Sequence, residues 1–107
     1  MKEIKVITLP NFPGKDFEVL GLVKGSTVQS KNAVRDFTAG LKTIVGGELK
    51  GYTQMLNKAR DVAIERMIDE AAKLNADAIL GFNLQSSSAM AGSAEIVAYG
   101  TAVKFEF

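Results

Sequence analysis

The chain contains no cysteine, no histidine and no tryptophan, and only two prolines among its 107 residues. Without cysteine there is no disulfide and no thiolate to act as nucleophile or ligand. Without histidine there is no imidazole to serve as a base near neutral pH or to hold a soft metal. No apolar run approaches the roughly 18 residues of a membrane span. Charge of one sign is missing too: 13 Lys/Arg face 12 Asp/Glu, without the basic footprint of a nucleic-acid binder. The opening Met1-Lys2-Glu3-Ile4-Lys5-Val6 alternates charged and apolar residues, unlike the uninterrupted apolar core of a signal peptide. The expectation left by these absences is a cytoplasmic protein with neither nucleic acid nor membrane as a partner.

What is present builds a globular domain. Apolar residues make up 47% and charged residues 23%, ordinary values for a folded chain of single-domain size, so residues 1–107 are read as one domain. The charges are unevenly spread. Residues 1–58 carry nine Lys/Arg and five Asp/Glu, and residues 59–107 carry four and seven. Such a split either lets one part of a subunit meet the other part of its neighbour or is chance at this length.

Lys2 to Leu9 is rich in Ile, Val and Thr and predicts a strand. Pro10-Asn11-Phe12-Pro13-Gly14 breaks it into a loop. Phe17 to Gln29 resumes a strand pattern, with Gly21 and Gly25 marking a bulge or a close backbone approach. Ser30 can cap a first, shorter helix carrying Val34, Phe37, Leu41 and Ile44 on one face. Gly46-Gly47 ends that helix. A long second helix is predicted from about Tyr52 to Leu74, with Tyr52, Leu56, Ala59, Ala63, Met67, Ala71 and Leu74 as its apolar stripe. Asn75 takes the left-handed position after it. Ala78 to Gln85 predicts a strand with Leu80, Phe82 and Leu84 on one side. Ser86 to Ser93 reads as a small, polar loop. Glu95 to Phe107 is the last strand, with Val97, Tyr99, Val103, Phe105 and Phe107 on one face and Ile96, Ala98, Gly100 and Ala102 on the other. The order is β-β-α-α-β-β, an α+β fold whose last two strands form an antiparallel hairpin.

The long helix carries more apolar surface than one sheet needs. Ile64, Ile68 and Ala72 widen its stripe on one side, Met55 and Val62 on the other, to roughly two-thirds of the helical wheel, where a stripe a little over about 100° suffices. Its length is about 34 Å at 1.5 Å per residue. A compact domain of this size has a radius of gyration of about 13 Å. Either the first helix covers the excess or copies of the chain cover it for each other. The expectation is a closed homo-oligomer.

Few residues carry chemistry. The glycine-rich stretch from Ile44 to Tyr52, with Gly46 and Gly47, can present backbone N–H groups to an anion. It has neither phosphate-loop nor dinucleotide spacing, and a plain helix–helix connection accounts for it as well. Arg60 lies at the edge of the apolar stripe, and Arg35-Asp36 lies near the apolar face of the first helix. Either arginine suits a bidentate pair across a subunit boundary, a ligand carboxylate or phosphate, or a solvated head on a buried stem. Asp61, Glu65 and Asp69 share one helix face, which a hard cation can use but which is more simply a solvated surface. The serines at 86–88 and 93 lack an activating base. No catalytic set, metal site or cofactor site emerges, and the chain does not read as an enzyme.

Several segments together point to a family. Gly25-Ser26-Thr27-Val28, Arg35-Asp36-Phe37-Thr38-Ala39-Gly40-Leu41, Ile44 to Tyr52, Ala59-Arg60, Arg66-Met67-Ile68, Ala76-Asp77-Ala78-Ile79 and Ala98-Tyr99-Gly100-Thr101-Ala102-Val103 occur in that order. In them the chain resembles the YbjQ-like proteins from about Phe17 to Lys104, with Asn75 where the family has glycine. The resemblance implies a dodecin-like subunit with an antiparallel sheet packed against one long and one shorter helix, assembled as a pentameric ring. It brings no activity with it. The family's customary label is a heavy-metal-binding domain, which the lack of thiolate and imidazole disfavours. Only Met1, Met55, Met67 and Met90 offer sulfur. The functional expectation is an oligomeric binding module. Arg35, Gly46, Gly47 and Arg60 would meet a small anionic ligand between subunits. A scaffold or protein-interaction ring without a ligand is the alternative, and metal binding is a third.

Overall fold

A computed structural model describes residues 3–30, 50–90 and 93–106. The described elements are β1 (Lys5–Val6), β2 (Phe17–Ser30), α1 (Lys50–Lys73), β3 (Ala78–Met90) and β4 (Ser93–Phe105). The shorter helix expected after Ser30 lies outside the described residues. Ser30 itself ends β2, paired with Ser93. The four strands form one sheet in the order β1-β3-β4-β2. The expected hairpin is present: β3 and β4 run antiparallel, as do β2 and β4. The sheet is nevertheless mixed, because β1 pairs parallel to β3. This corrects the wholly antiparallel expectation. The first strand is also short. Past Val6 the chain follows β3 through single bonds, Ile7 N–H to the Ile79 carbonyl (3.0 Å), Phe82 N–H to Ile7 (2.9 Å) and Gly81 N–H to Leu9 (2.8 Å).

The serine-rich segment read as a loop is strand. β3 continues through Ser86, Ser87 and Ser88 to Met90, and β4 begins at Ser93. Serine has little strand preference of its own, but the ladder is made by the backbone, and a partner strand in register overrides weak propensity.

Two bulges decide which side chains face the helix. In β2 the pairing shifts between Val19 and Gly21, where Gly21 has φ 139°. In β3 it shifts between Leu80 and Asn83, around Gly81 at φ 61°. Each extra residue reverses the alternation. Leu80 therefore packs with Ala78 and Val103 on the outer face, while Ile79, Phe82 and Leu84 belong to the core under α1. Leu80, Phe82 and Leu84 do not share a side. The glycine that permits the bulge is also what breaks the alternation. β4 has no such shift within its central run. Ile96, Ala98 and Ala102 face the helix as expected, and Val103 and Phe105 face away.

The main core is small-residue packing. Ala59, Ala63, Met67 and Ala71 are fully buried against Val23, Ile79, Ala98 and Ala102. The alanines let α1 lie almost on the backbone of β2, and Gly25 is the point of closest approach. A Cβ there would collide with the Ala63 carbonyl oxygen and the Met67 amide nitrogen. Thr27 Oγ1 also donates to the Ala59 carbonyl at 3.0 Å. Both strand glycines thus do what their positions suggested, one at a bulge and one under the helix.

The helix ends as its sequence indicates. Asn75 has φ 60°, Ala76 N–H donates to the Ala71 carbonyl (3.1 Å), and Asn75 N–H donates to Ala72 (2.9 Å). This is the Schellman pattern of bonds. Leu74, expected on the stripe, is 44% exposed because the chain has already turned off the helix axis. On the outer face the N-terminal loop covers one end of the sheet. Phe12-Pro13-Gly14-Lys15 closes a turn (Lys15 N–H to Phe12 carbonyl, 3.2 Å). Phe12 then meets Phe105 edge-on at 4.9 Å, and Lys15 Nζ stands 5.0 Å from that ring.

Of the residues that widen the apolar arc of the helix, Val62 is half-buried and Ala72 is exposed, and the side chain of Met55 lies outside those described. Ile64 and Ile68 are half-buried against the core. The large exposed apolar side chains include Val19, Leu22 and Val28 of β2, each 60–65% exposed.

Gly25→Ala is expected to cost about 1–3 kcal/mol, as overpacking does, seen as a lower urea midpoint or melting temperature. Asn75→Gly should hold or raise stability. Asn75→Ala should lose roughly 1 kcal/mol, the strain of a left-handed alanine.

Candidate ligand-binding groove

α1 lies over β2 and β4 and barely reaches β3. Beside it no described element covers the helix-facing side of distal β3, and a groove of about 390 Å³ is lined there by Leu56, Arg60, Leu84, Gln85, Ser86 and Ile96. Leu56 and Arg60 come from one helix face at i and i+4. Leu84 and Ser86 come from β3, and Ile96 from β4. The bulge at Gly81 brings Leu84 and Ser86 to this side. Three aliphatic walls, two neutral polar groups and one guanidinium make an amphipathic site with a single positive charge. Arg60 is exposed, and its Nη1 donates to Asn57 Oδ1 at 3.0 Å. Among the described residues Arg60 pairs with no carboxylate.

Of the sequence-predicted site residues, Arg60 alone is described. Arg35, Gly46 and Gly47 lie outside the described residues. Sequence reading singled out Arg60 from its place at the stripe edge. It missed Leu84 and Ser86, whose side of the sheet is set by the bulge, and it treated Ser86 as loop.

The other arginine of the helix has a different task. Arg66 Nη1 donates to the Ser26 carbonyl at 2.6 Å, and Glu70 Oε1 accepts from the Lys24 N–H at 3.2 Å. Both backbone groups sit on the free edge of β2. One helical turn thus clasps the outermost strand with a cation and an anion. A similar bond closes the far end of the sheet, where Asp77 Oδ2 accepts from the Phe105 N–H at 2.8 Å.

The residues do not fit a soft heavy metal, which wants thiolate or imidazole donors. The chain has neither. Among the described residues no three carboxylates gather as a cation site either. Asp61, Glu65 and Asp69 are all exposed. No helix among them is long and apolar enough to cross a membrane.

Comparison with known proteins places the chain in a family. The YbjQ_1 family model, described as "Putative heavy-metal-binding", matches residues 4–106. A UPF0145 protein of Thermotoga maritima is 54% identical over 102 residues, covering 94% of this chain and 96% of the relative. One from Clostridium novyi is 55% identical over 91 residues, covering 85% and 88%. One from Helicobacter hepaticus is 55% identical over 104 residues, covering 97% of both. The crystal structure of a DUF74-family protein of unknown function from Pediococcus pentosaceus is 13% identical. It covers 96% of this chain and 98% of its own, with a TM-score of 0.67. At that identity the likeness is one of fold.

Arg60→Ala should leave thermal stability within about 0.5 kcal/mol, as exposed positions do. Arg66→Ala should cost about 1 kcal/mol through the lost bond to Ser26. Parallel melts of the two variants check both.

Proposed function

The chain belongs to the YbjQ_1 family, and from that membership we propose that it is a homo-oligomeric binding module for a small anionic ligand held between subunits. The observation that carries this reading is Arg60: a guanidinium at the mouth of an aliphatic groove, with a neutral Asn57 as its described partner. A planar guanidinium beside apolar walls suits a carboxylate or phosphate attached to a less polar body. Arg35, Gly46 and Gly47 are the further residues proposed to meet the ligand.

Assembly is supported by Val19, Leu22 and Val28, which leave apolar surface on a sheet face that no described helix covers. On this reading the assembly is a pentameric ring of dodecin-like subunits with a second, shorter helix, which the family resemblance supports. The same reading takes the protein as a cytoplasmic binder rather than an enzyme. Heavy-metal binding is not part of it, because the chain lacks the donors.

Native mass spectrometry should give a particle at five times the 11.5 kDa subunit. Stable single copies at micromolar concentration would overturn the assembly. Thermal melts with inorganic phosphate, acetate, benzoate and citrate should show at least one anion raising the melting temperature. Saturation at 100-fold over Kd stabilises by about 2.7 kcal/mol, or roughly ten degrees or more for a domain this size. Arg60→Ala should abolish the shift. An intact oligomer that no anion stabilises would favour a scaffold without a ligand.

A further inference from the structure

The groove beside α1 sets one cation against aliphatic walls. Leu56 and Arg60 stand one turn apart on the helix, about 6 Å along its axis. Across from them, Leu84 and Ser86 come from β3 and Ile96 from β4, with Ser86 and Ile96 in register on the ladder. Ile96 is buried to 5% exposure, and Leu56 and Leu84 are half-buried. Gln85 and Ser86 are the neutral polar members of the lining. Among the described lining residues there is no aromatic ring, so the groove gives a flat aromatic or nucleobase body nothing to stack on.

Charge narrows the ligand further. Asn57 Oδ1 accepts from Arg60 Nη1 at 3.0 Å, which takes one guanidinium N–H and orients the rest of the fork. A carboxylate matches such a fork with two parallel N–H···O bonds. A phosphate monoester carries close to two negative charges at neutral pH, and the described lining meets it with one positive charge. Arg60 also sits well inside α1 (Lys50–Lys73), where the helix dipole adds nothing to anion binding. Its neighbour Asp61, an exposed carboxylate, adds a negative charge beside it. We propose that the ligand of this groove is an aliphatic monocarboxylate, with its carboxylate on Arg60 and its hydrocarbon body against Leu56, Leu84 and Ile96. The proposal rests on the anion-binding reading above and narrows it to one chemical class. The two ends of the ligand contribute separately. Arg60 fixes the charged end, and the apolar walls add affinity that grows with each methylene taken out of water.

Methyl NMR titration of the whole chain with acetate, butanoate, hexanoate, octanoate, benzoate, hexyl phosphate and inorganic phosphate tests it. A fully buried methylene is worth about fourfold in Kd, so hexanoate should bind at least about tenfold tighter than acetate. Benzoate, hexyl phosphate and inorganic phosphate should all bind more weakly than hexanoate. The methyls of Leu56, Leu84 and Ile96 should shift on binding, and those of Val19 and Leu22 on the outer face should not. Leu84→Thr keeps a residue that suits a strand and should flatten the chain-length series while acetate binding persists. Were it not to fold, Leu56→Gln on the helix gives the same reading. Arg60→Gln should remove binding of every acid, and Arg60→Lys should restore part of it as a point charge without the fork. Affinity that is flat with chain length, or tighter for benzoate or either phosphate than for hexanoate, overturns the aliphatic monocarboxylate and leaves the anion-binding reading standing. Hexanoate that shifts Val19 and Leu22 in place of Leu56 and Leu84 overturns the site. A chain that binds none of these anions overturns both readings.

Discussion

The fold depends on how closely α1 approaches β2. At Gly25 the helix backbone lies where any side chain would stand. Ala59, Ala63 and Ala71 on the helix and Ala98 and Ala102 on β4 keep the facing surfaces thin. Met67 is the large residue that fills what remains, fully buried among them. Close approach brings the polar side chains of the helix within reach of the strand backbone, so Thr27, Arg66 and Glu70 can bond across the contact. Dispersion between thin surfaces and these few hydrogen bonds hold the layers together. A bulkier residue at Gly25 would lift the helix and loosen all of them.

Local irregularities set what the sheet offers on each side. The bulges at Gly21 and Gly81 reverse the alternation of β2 and β3 partway along. One stretch of each strand therefore serves the core under α1, and another serves the outer cluster of Ala78, Leu80 and Val103 beneath Phe12 and Phe105. The chain thus builds two apolar clusters from one four-stranded sheet. The outer cluster is capped by the N-terminal loop, and β2 continues past it with Val19, Leu22 and Val28 largely uncovered. The molecule measures 55 × 28 × 24 Å, with a radius of gyration of 17.0 Å. A compact domain of its length would have about 13 Å.

The groove beside α1 follows from the same arrangement. The helix is centred on β2 because Gly25 and the alanines draw it there, so it does not cover distal β3. Arg60 reaches that opening because it is one turn beyond Leu56, and its neutral neighbour Asn57 orients the guanidinium without cancelling its charge. Arg66, six residues later on the same helix, faces the edge of β2 and is spent on the Ser26 carbonyl. Two arginines of one helix thus have opposite roles, decided by which strand lies beneath them.

Much of the architecture was readable from residue order. The periodicity of the long helix, its stop at Asn75, the strand from Phe17, the final hairpin and the bulge at Gly21 rest on short-range rules, in which a residue's conformational preference acts within a turn or two. The parallel pairing of β1, the extension of β3 through its serines, the side on which Leu80 lies and the location of the exposed apolar surface do not. Each depends on contacts between segments tens of residues apart, where a ladder partner outweighs local preference and one extra residue turns a strand over. Arg60 could be picked out as a candidate from its helix position. Only packing showed that it borders an open groove while Arg66 does not, because the distance from a helical side chain to a strand is fixed by where the two elements touch.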